Sequence, residues 1–312
     1  MEKTVQSLTE FNILTSYYYA KSINCEVFHK RYEPFKVNLF LDSGAFTVRQ
    51  NGQTFDLTNY ADFVEKNNDF ISVAANVDVG SVDDIHNNFL YLRKKRNLKK
   101  VFPIYQPFMP LSMLEMYLKE YQYVGLGTAG FNIGAPKQRK DYEVRYMFRA
   151  HEMAEKIGNC GFHGFAVTQT KIMKAFPWWS CDSTSWLMGA KFGKMSVFDP
   201  LTEKLVGIHW KDKKELAKYQ RVLSLYRPKL HRFASTQTVG GYEAGAISGV
   251  SYQYLGKALA KKGGVKRIYL AGAEASTIMN QVFLRMKDIA LHEKPITLPK
   301  TIRRKRNTEV SP

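Results

Sequence analysis

The sequence predicts an α/β chain folded as one (β/α)8 barrel. Strand-like and helix-like segments alternate strictly from Phe11 to Asp182, the pattern of parallel βα units rather than of a meander. The predicted strands end on polar or glycine-rich groups: Asp42, Asp78, Gln106, Gly125 to Gly130, and Asp182. In such a barrel the C-terminal strand ends surround one mouth, where functional side chains collect. A hydrophobic content of 45% over 312 residues is enough for a sizeable core. The expected organisation is a barrel domain over 1–292 and a basic tail over 293–312.

The elements follow in order. Phe11 to Tyr19 is apolar and aromatic, a first strand. Val37 to Leu41 is a second, running into Asp42, and Asn51-Gly52-Gln53 is a polar turn. Leu57 to Lys66 has helical spacing with Tyr60, Phe63 and Val64 on one face. Phe70 to Val77 is a strand leading to Asp78. Val82 to Arg96 is an amphipathic helix that turns basic at its C-terminal end, where cations are favoured. Val101 to Tyr105 is a strand ending at Gln106, and Pro110 to Tyr121 is a helix with proline near its first turn. Tyr123 to Leu126 is a strand. A charged loop, Ala135 to Asp141, precedes a helix from Tyr142 to Ile157. Gly161 to Val167 is a strand containing His163, Lys171 to Phe176 a helix, and Pro177 opens the strand that ends at Asp182.

Beyond about Phe192 the alternation loosens. Met195 to Trp210 reads as a hairpin around Asp199-Pro200, Lys213 to Tyr226 as a helix, and Leu230 to Ala234 as a strand. Gly240 to Gly249 reads as a loop or a tight helix entry, followed by a basic helix from Tyr252 to Lys262. A strand, Arg267 to Ala271, and a helix, Glu274 to His292, complete the pattern.

Lysine and arginine number 46 against 28 acids, a formal charge of +18. That excess suits a polyanionic partner, nucleic acid first; the plainer alternative is a solvated lysine-rich surface. Arg303, Arg304, Lys305 and Arg306 in the tail read as a phosphate-contacting arm. No apolar run reaches the roughly 18 residues that span a bilayer, and the N-terminus has no signal-peptide core. Cys25, Cys160 and Cys181 are too widely spaced for a disulfide framework or a paired-CxxC zinc site. These features predict a cytoplasmic protein with reduced thiols and no membrane partner.

Two stretches share one grammar: Leu41-Asp42-Ser43-Gly44-Ala45-Phe46, and Trp178-Trp179-Ser180-Cys181-Asp182-Ser183-Thr184-Ser185-Trp186. Taken alone, either Asp could cap the helix that follows it. Taken together, they suggest two carboxylates meeting at one site. Such a pair has an established use: one acid attacks an anomeric carbon while the other manages the leaving group's proton. Ser43 can hydrogen-bond the acid beside it, and the Gly44-Ala45 turn lets substrate approach the backbone. Phe46, Trp178, Trp179 and Trp186 either stack on a flat ring or fill the core. His163, alone on a strand, reads first as a satisfied core histidine. Cys160 and His163 form a C-x-x-H pair without the further ligands zinc requires.

At these residues the chain resembles the tRNA-guanine transglycosylase superfamily, and within it the shorter phage and bacterial relatives thought to place 7-deazaguanines in DNA. The resemblance rests on Leu41 to Phe46, Asn76-Val77-Asp78, Pro103-Ile104-Tyr105-Gln106, Val124-Gly125-Leu126-Gly127, His163 to Thr168, and Pro177 to Trp186. These segments stand in the family's order over about residues 38 to 193. The resemblance implies a (β/α)8 barrel and a base exchange that needs no cofactor. It implies that Asp182 is the nucleophile and Asp42 the general acid/base. It implies that Asp78 and Gln106 hold the base edge, and that Gly125, Leu126 and Gly127 line the base pocket, with Ser43, Phe46 and His163 also at the substrate. The implied partners are DNA and a free 7-deazaguanine base, with tRNA as the alternative polymer. The family's Gly-Gly-Phe-Gln is here Gly44-Ala45-Phe46-Thr47. Its C-x-C-x-x-C cluster is absent, so no structural zinc is expected, and the grip on tRNA which that subdomain supplies is missing too. A non-catalytic nucleic-acid-binding barrel would need only the charge and not both aspartates.

Overall fold

Pro103 marks the seam of a closed barrel. Val101 and Phe102 pair with Ala74 and Ala75 on one side, while Ile104 and Tyr105 pair with Gly125 and Leu126 on the other. Proline has no N–H to give, so the ladder breaks there and the stave divides into two short strands. The computed structural model describes residues 8–127, 137–158, 160–167, 169–187, 192–272 and 277–291. Its strands are β1 (Glu10–Ser16), β2 (Lys36–Asp42), β3 (Ile71–Ala75), β4 (Val101–Phe102), β5 (Ile104–Tyr105), β6 (Tyr123–Leu126), β7 (Gly161–Gly164), β8 (Ser180–Ser183), β9 (Lys194–Asp199), β10 (Lys204–His209) and β11 (Arg267–Ala271). The sheet order is β4-β3-β2-β1-β11-β8-β7-β6-β5, with every pairing parallel. With β4 and β5 counted as one stave, eight staves close the ring, a (β/α)8 barrel. Antiparallel β9 and β10 form a separate hairpin.

Period-two alternation sorts each strand. Leu39, Leu41 and Cys181 face the large core beneath the helices, while Leu14, Phe40, Phe102, Ile104 and Tyr269 fill the barrel interior. Phe40 is the hub of that interior, in edge contact with Phe102, Phe165 and Tyr269. Asp42 lies two residues beyond Phe40 and so shares its inward face, one layer nearer the mouth. At the opposite end, Glu10, Asn12, Asn38 and Gln253 hydrogen-bond into a polar plug.

The helices Leu57–Lys66 and Leu111–Glu120 and the strand β11 stand close to where the sequence places them. Several segments differ. Lys213 to Tyr226, expected as one helix, is divided at Tyr219 into Lys213–Lys218 and Gln220–Ser224, and the strand expected over Gly161 to Val167 ends at Gly164. Tyr17–Ala20 is a helical turn rather than the end of the first strand. Residues 137–141, expected as loop, open the helix Lys137–Ile157. The expected strand over Leu230 to Ala234 is the short helix Leu230–Phe233. The glycine-rich stretch Gly240 to Gly249 lies inside one 24-residue helix, Gln237–Ala260, capped by Thr236 Oγ1 accepting from Val239 N–H. Its glycines allow close approach rather than a turn. A Cβ at Gly240 would overlap the Trp210 ring, and one at Gly249 would lie 2.5 Å from Val282 Cγ2 and 3.2 Å from Trp186. Helix propensity alone disfavours glycine there, and packing overrides it. The proposed tail over 293–312, with Arg303 to Arg306, lies outside the described residues, as do Thr128 to Gly130. Among the described residues no helix is long and apolar enough to cross a membrane.

Gly249→Val should force Trp186 and Val282 apart and lower stability by about 1–3 kcal/mol, the usual penalty for overpacking. Chemical denaturation measures it; an unchanged midpoint would mean that the helix does not need this close approach.

Candidate active site

The expected strand ends do converge. Asp42 closes β2, Asp78 follows β3, Gln106 follows β5, and Asp182 lies on β8. Tight backbone turns aim the two outer acids. After β2, Gly44 adopts φ +70, and its N–H donates to Asp42 Oδ2 at 3.0 Å. Tyr18 and Ser16 pack where a Cβ of residue 44 would sit, so only glycine fits the turn. After β7, Ala166 holds φ 53, unusual for a residue with a side chain, and its N–H donates to Asp182 Oδ1 at 2.7 Å.

Three carboxyl groups sharing this mouth set its electrostatics. Burial lifts the Asp42 carboxyl to about 7, and the charges of Asp78 and Asp182 push the same way, against the donation from Gly44. Burial also raises Asp78, opposed by a 2.6 Å hydrogen bond from Gln106 Nε2 to Asp78 Oδ2. That amide lies across the strand end so closely that any Cβ at Gly127 would overlap it. At Gly125 a Cβ would lie 2.7 Å from the Phe165 ring and 3.0 Å from that of Phe102.

The remaining candidates separate into those at the mouth and those behind it. Phe46 is 65% exposed and Phe108 60%. With Arg49, Gln50, Val79 and Gly80 they line a cleft of about 390 Å³ that reaches Asp78. Ser43 is buried, and its Oγ accepts from Ala45 N–H at 3.3 Å, so the hydroxyl secures the turn and it is the Ser43 backbone that hydrogen-bonds Asp42. The Leu126 side chain is wholly buried in the outer core, so it cannot line the pocket, and its carbonyl accepts from Phe165 N–H. Trp178 and Trp186 are core residues whose indole N–H groups donate to Ile172 O and Ala271 O. Trp179 precedes β8, at the opposite end from the mouth, beneath Lys266 Nζ at 3.7 Å. None of the three tryptophans is placed to stack on a ligand at Asp182.

The resemblance implies His163 at the substrate, but the structure puts it behind Asp182, the core position that a lone strand histidine suggests. The ring is fully buried among Phe40 (4.4 Å), Phe165 (4.5 Å), Phe102, Tyr123 and Tyr269. Its Nδ1 lies 2.6 Å from Ser180 Oγ, and Ser180 Oγ lies 2.5 Å from Tyr123 OH. Its Nε2 faces Asp182 Oδ1 at 3.4 Å and has no hydrogen bond. Burial lowers its pKa, partly offset by Asp182, and favours the neutral ring. Sequence reasoning missed Ser180 and Tyr123. Ser180 is two residues before Asp182 and so on the same inward face, but no sequence pattern pairs it across β7 with Tyr123. Among the described residues, no group of three or more His, Cys, Asp or Glu could hold a metal ion.

The raised Asp42 makes stability pH-dependent. Below about pH 4 the carboxyl is protonated in both states; between there and about 7 only the folded state keeps the proton. Its contribution to stability is therefore lost as pH rises through that window. Asp42→Asn should match the wild type near pH 4 and exceed it at pH 8 by about 2–4 kcal/mol, since a lift of about three pH units at about 1.4 kcal/mol each sets the upper end and solvent on the open side of the mouth screens part of it. Urea denaturation at both pH values measures this, and equal gaps at both would show that burial leaves Asp42 an ordinary acid.

Comparison with family models, curated proteins and solved structures found no match.

Proposed function

We propose that the protein is a base-exchange transglycosylase that replaces guanine in DNA with a 7-deazaguanine such as preQ0. The observation that carries this reading is the pairing of Asp42, able to hold a proton near pH 7, with Asp182, whose Oδ1 is anchored by Ala166 N–H. A catalytic acid works best with its pKa near the operating pH. Asp182 Oδ2 attacks the anomeric carbon as the carbon–nitrogen bond to guanine breaks. That bond's electron pair leaves with the base, and Asp42 supplies its proton. The incoming base gives a proton to Asp42 and displaces the Asp182 ester, so the sugar keeps its configuration after two inversions.

The neighbouring groups suit a purine edge. Guanine presents N–H donors on its Watson–Crick edge, and Asp78 offers carboxylate oxygens held by Gln106. A 7-deazaguanine presents the same edge and differs at position 7, so one pocket can accept both bases. Exposed Phe46 and Phe108 offer faces for flat rings. A nucleotide in a duplex must leave the stack to reach Asp182. The charge of +18 suits DNA and tRNA alike; the preference for DNA rests on the resemblance to the shorter relatives and on the missing cysteine cluster.

Labelled preQ0 offered with duplex DNA and with tRNA, side by side, tests the reading. Label should enter DNA, and label confined to tRNA would make tRNA the polymer. Asp182→Asn should fold normally, lose exchange by about 10⁴-fold or more, and trap no covalent DNA adduct. An active Asp182→Asn protein would remove Asp182 from the chemistry.

A further inference from the structure

Behind the proposed nucleophile lies a buried chain of polar groups that the exchange reaction does not itself require. It runs from Tyr123 on β6 to Ser180 on β8, then to His163 on β7, and ends at Asp182. His163 and Ser180 are almost free of solvent contact, and the barrel's aromatic interior surrounds the imidazole. Buried polar groups of this kind persist when they are mutually satisfied. Here one nitrogen, His163 Nε2, is left over and points at Asp182 Oδ1.

Donor accounting decides the direction of the chain. If His163 carried its proton on Nδ1, it would donate to Ser180 and face the Asp182 oxygen with a bare lone pair. Two electron-rich atoms 3.4 Å apart in a dry site repel. With the proton on Nε2, Tyr123 O–H donates to Ser180 Oγ, Ser180 O–H donates to His163 Nδ1, and Nε2–H points at the carboxylate. Every polar atom then has a role. Ala166 N–H is already on the same oxygen, Oδ1. Oδ2 is left without a donor among the described residues.

We propose that Tyr123, Ser180 and His163 are positioning residues that fix the Nε2–H tautomer, hold Asp182 by Oδ1, and leave Oδ2 as the attacking oxygen. The role in attack rests on the transglycosylase reading; the tautomer and the hold on Oδ1 do not. The 3.4 Å approach is looser than a formed hydrogen bond and tightens as substrate fills the mouth. A neutral donor suits both half-reactions. An imidazolium would quench the nucleophile, whereas a neutral N–H polarises the ester carbonyl at Oδ1 and eases departure of Asp182 in the second step. The titratable groups facing Asp182 and His163 are Asp42 across the mouth and Tyr123 and Tyr269 around the ring; Cys181 adjoins Asp182 in the chain but faces the outer core.

Two measurements test the proposal, the first without reference to activity. Nitrogen-15 NMR of the wild-type protein should show His163 neutral, protonated at Nε2 and accepting at Nδ1; an Nδ1–H ring or an imidazolium would overturn it. In Ser180→Ala the ring should populate both tautomers, and the Asp182 carboxyl carbon-13 resonance should move from its wild-type position, because part of the population no longer presents the Nε2–H donor to Oδ1. Ser180→Thr should restore both signals. A Ser180→Ala protein that is less stable but unchanged in tautomer and in the Asp182 carboxyl resonance would make the chain plain packing and overturn the proposal. If exchange is detectable, kcat should fall in the same variant while binding of DNA is unaffected. If the wild type exchanges no base but the NMR signatures hold, the hold on Asp182 stands and the transglycosylase reading falls.

Discussion

The constraint on which the rest of the structure depends is the crowding of Asp42, Asp78 and Asp182 in one partly dry mouth. Carboxylates so placed repel one another and lose hydration, and a fold that accepts this must supply compensating donors. The compensations are visible one by one. Gly44 N–H serves Asp42, the Gln106 amide serves Asp78, and Ala166 N–H serves Asp182. Each depends on a backbone feature with no other evident purpose: the left-handed Gly44, the missing side chain at Gly127, and the left-handed Ala166. Asp42 ends with a carboxyl lifted to about 7, because two neighbouring charges add to its burial. The protonation pattern of the mouth is thus a product of barrel geometry.

Closure at Pro103 feeds the same arrangement. By ending one ladder and starting another, it lets the stave serve β3 on one side and β6 on the other. Gln106 follows directly and reaches Asp78 from the next stave. The aromatic interior centred on Phe40 is the floor under the acids. It excludes water from below, so the carboxyl groups are dry on one side and open on the other.

Much of this could be seen in the sequence because it depends on local, periodic signals. A strand followed by a polar end and then a helix repeats often enough to identify parallel units, and Asp42, Asp78, Gln106 and Asp182 stood out as breaks in apolar runs. Other parts were hidden by non-local packing. Gly240 to Gly249 carries the composition of a loop, but Trp210, Trp186 and Val282 press against it and make it a helix. Leu230 to Ala234 has apolar content without length, and short runs of that kind do not separate strand from helix. Ser43 and Leu126 sit in the motifs but face the wrong way to touch a ligand, since facing is set by pleat and register. Ser180 and Tyr123 form a partnership only once β6, β7 and β8 lie side by side, and register is not written in any one segment.

The charge distribution adds a last step. The chain is strongly cationic overall, yet its mouth is acidic. For a polyanionic substrate the two regions act in opposite senses. Lysines and arginines outside the barrel attract phosphates over a distance of about 8–10 Å at physiological salt, while Asp42, Asp78 and Asp182 repel any phosphate that enters. A backbone is thereby held at the rim, and only the uncharged parts of a nucleotide, its sugar and base, are favoured inside. Arg49 lines the same cleft as Asp78, with Phe46 and Phe108, so a cation and an acid of the mouth share one opening. Under the proposed base exchange, the polarity that would admit a sugar to Asp182 would also disfavour a misplaced phosphate, so the same acids would select the substrate as well as act on it.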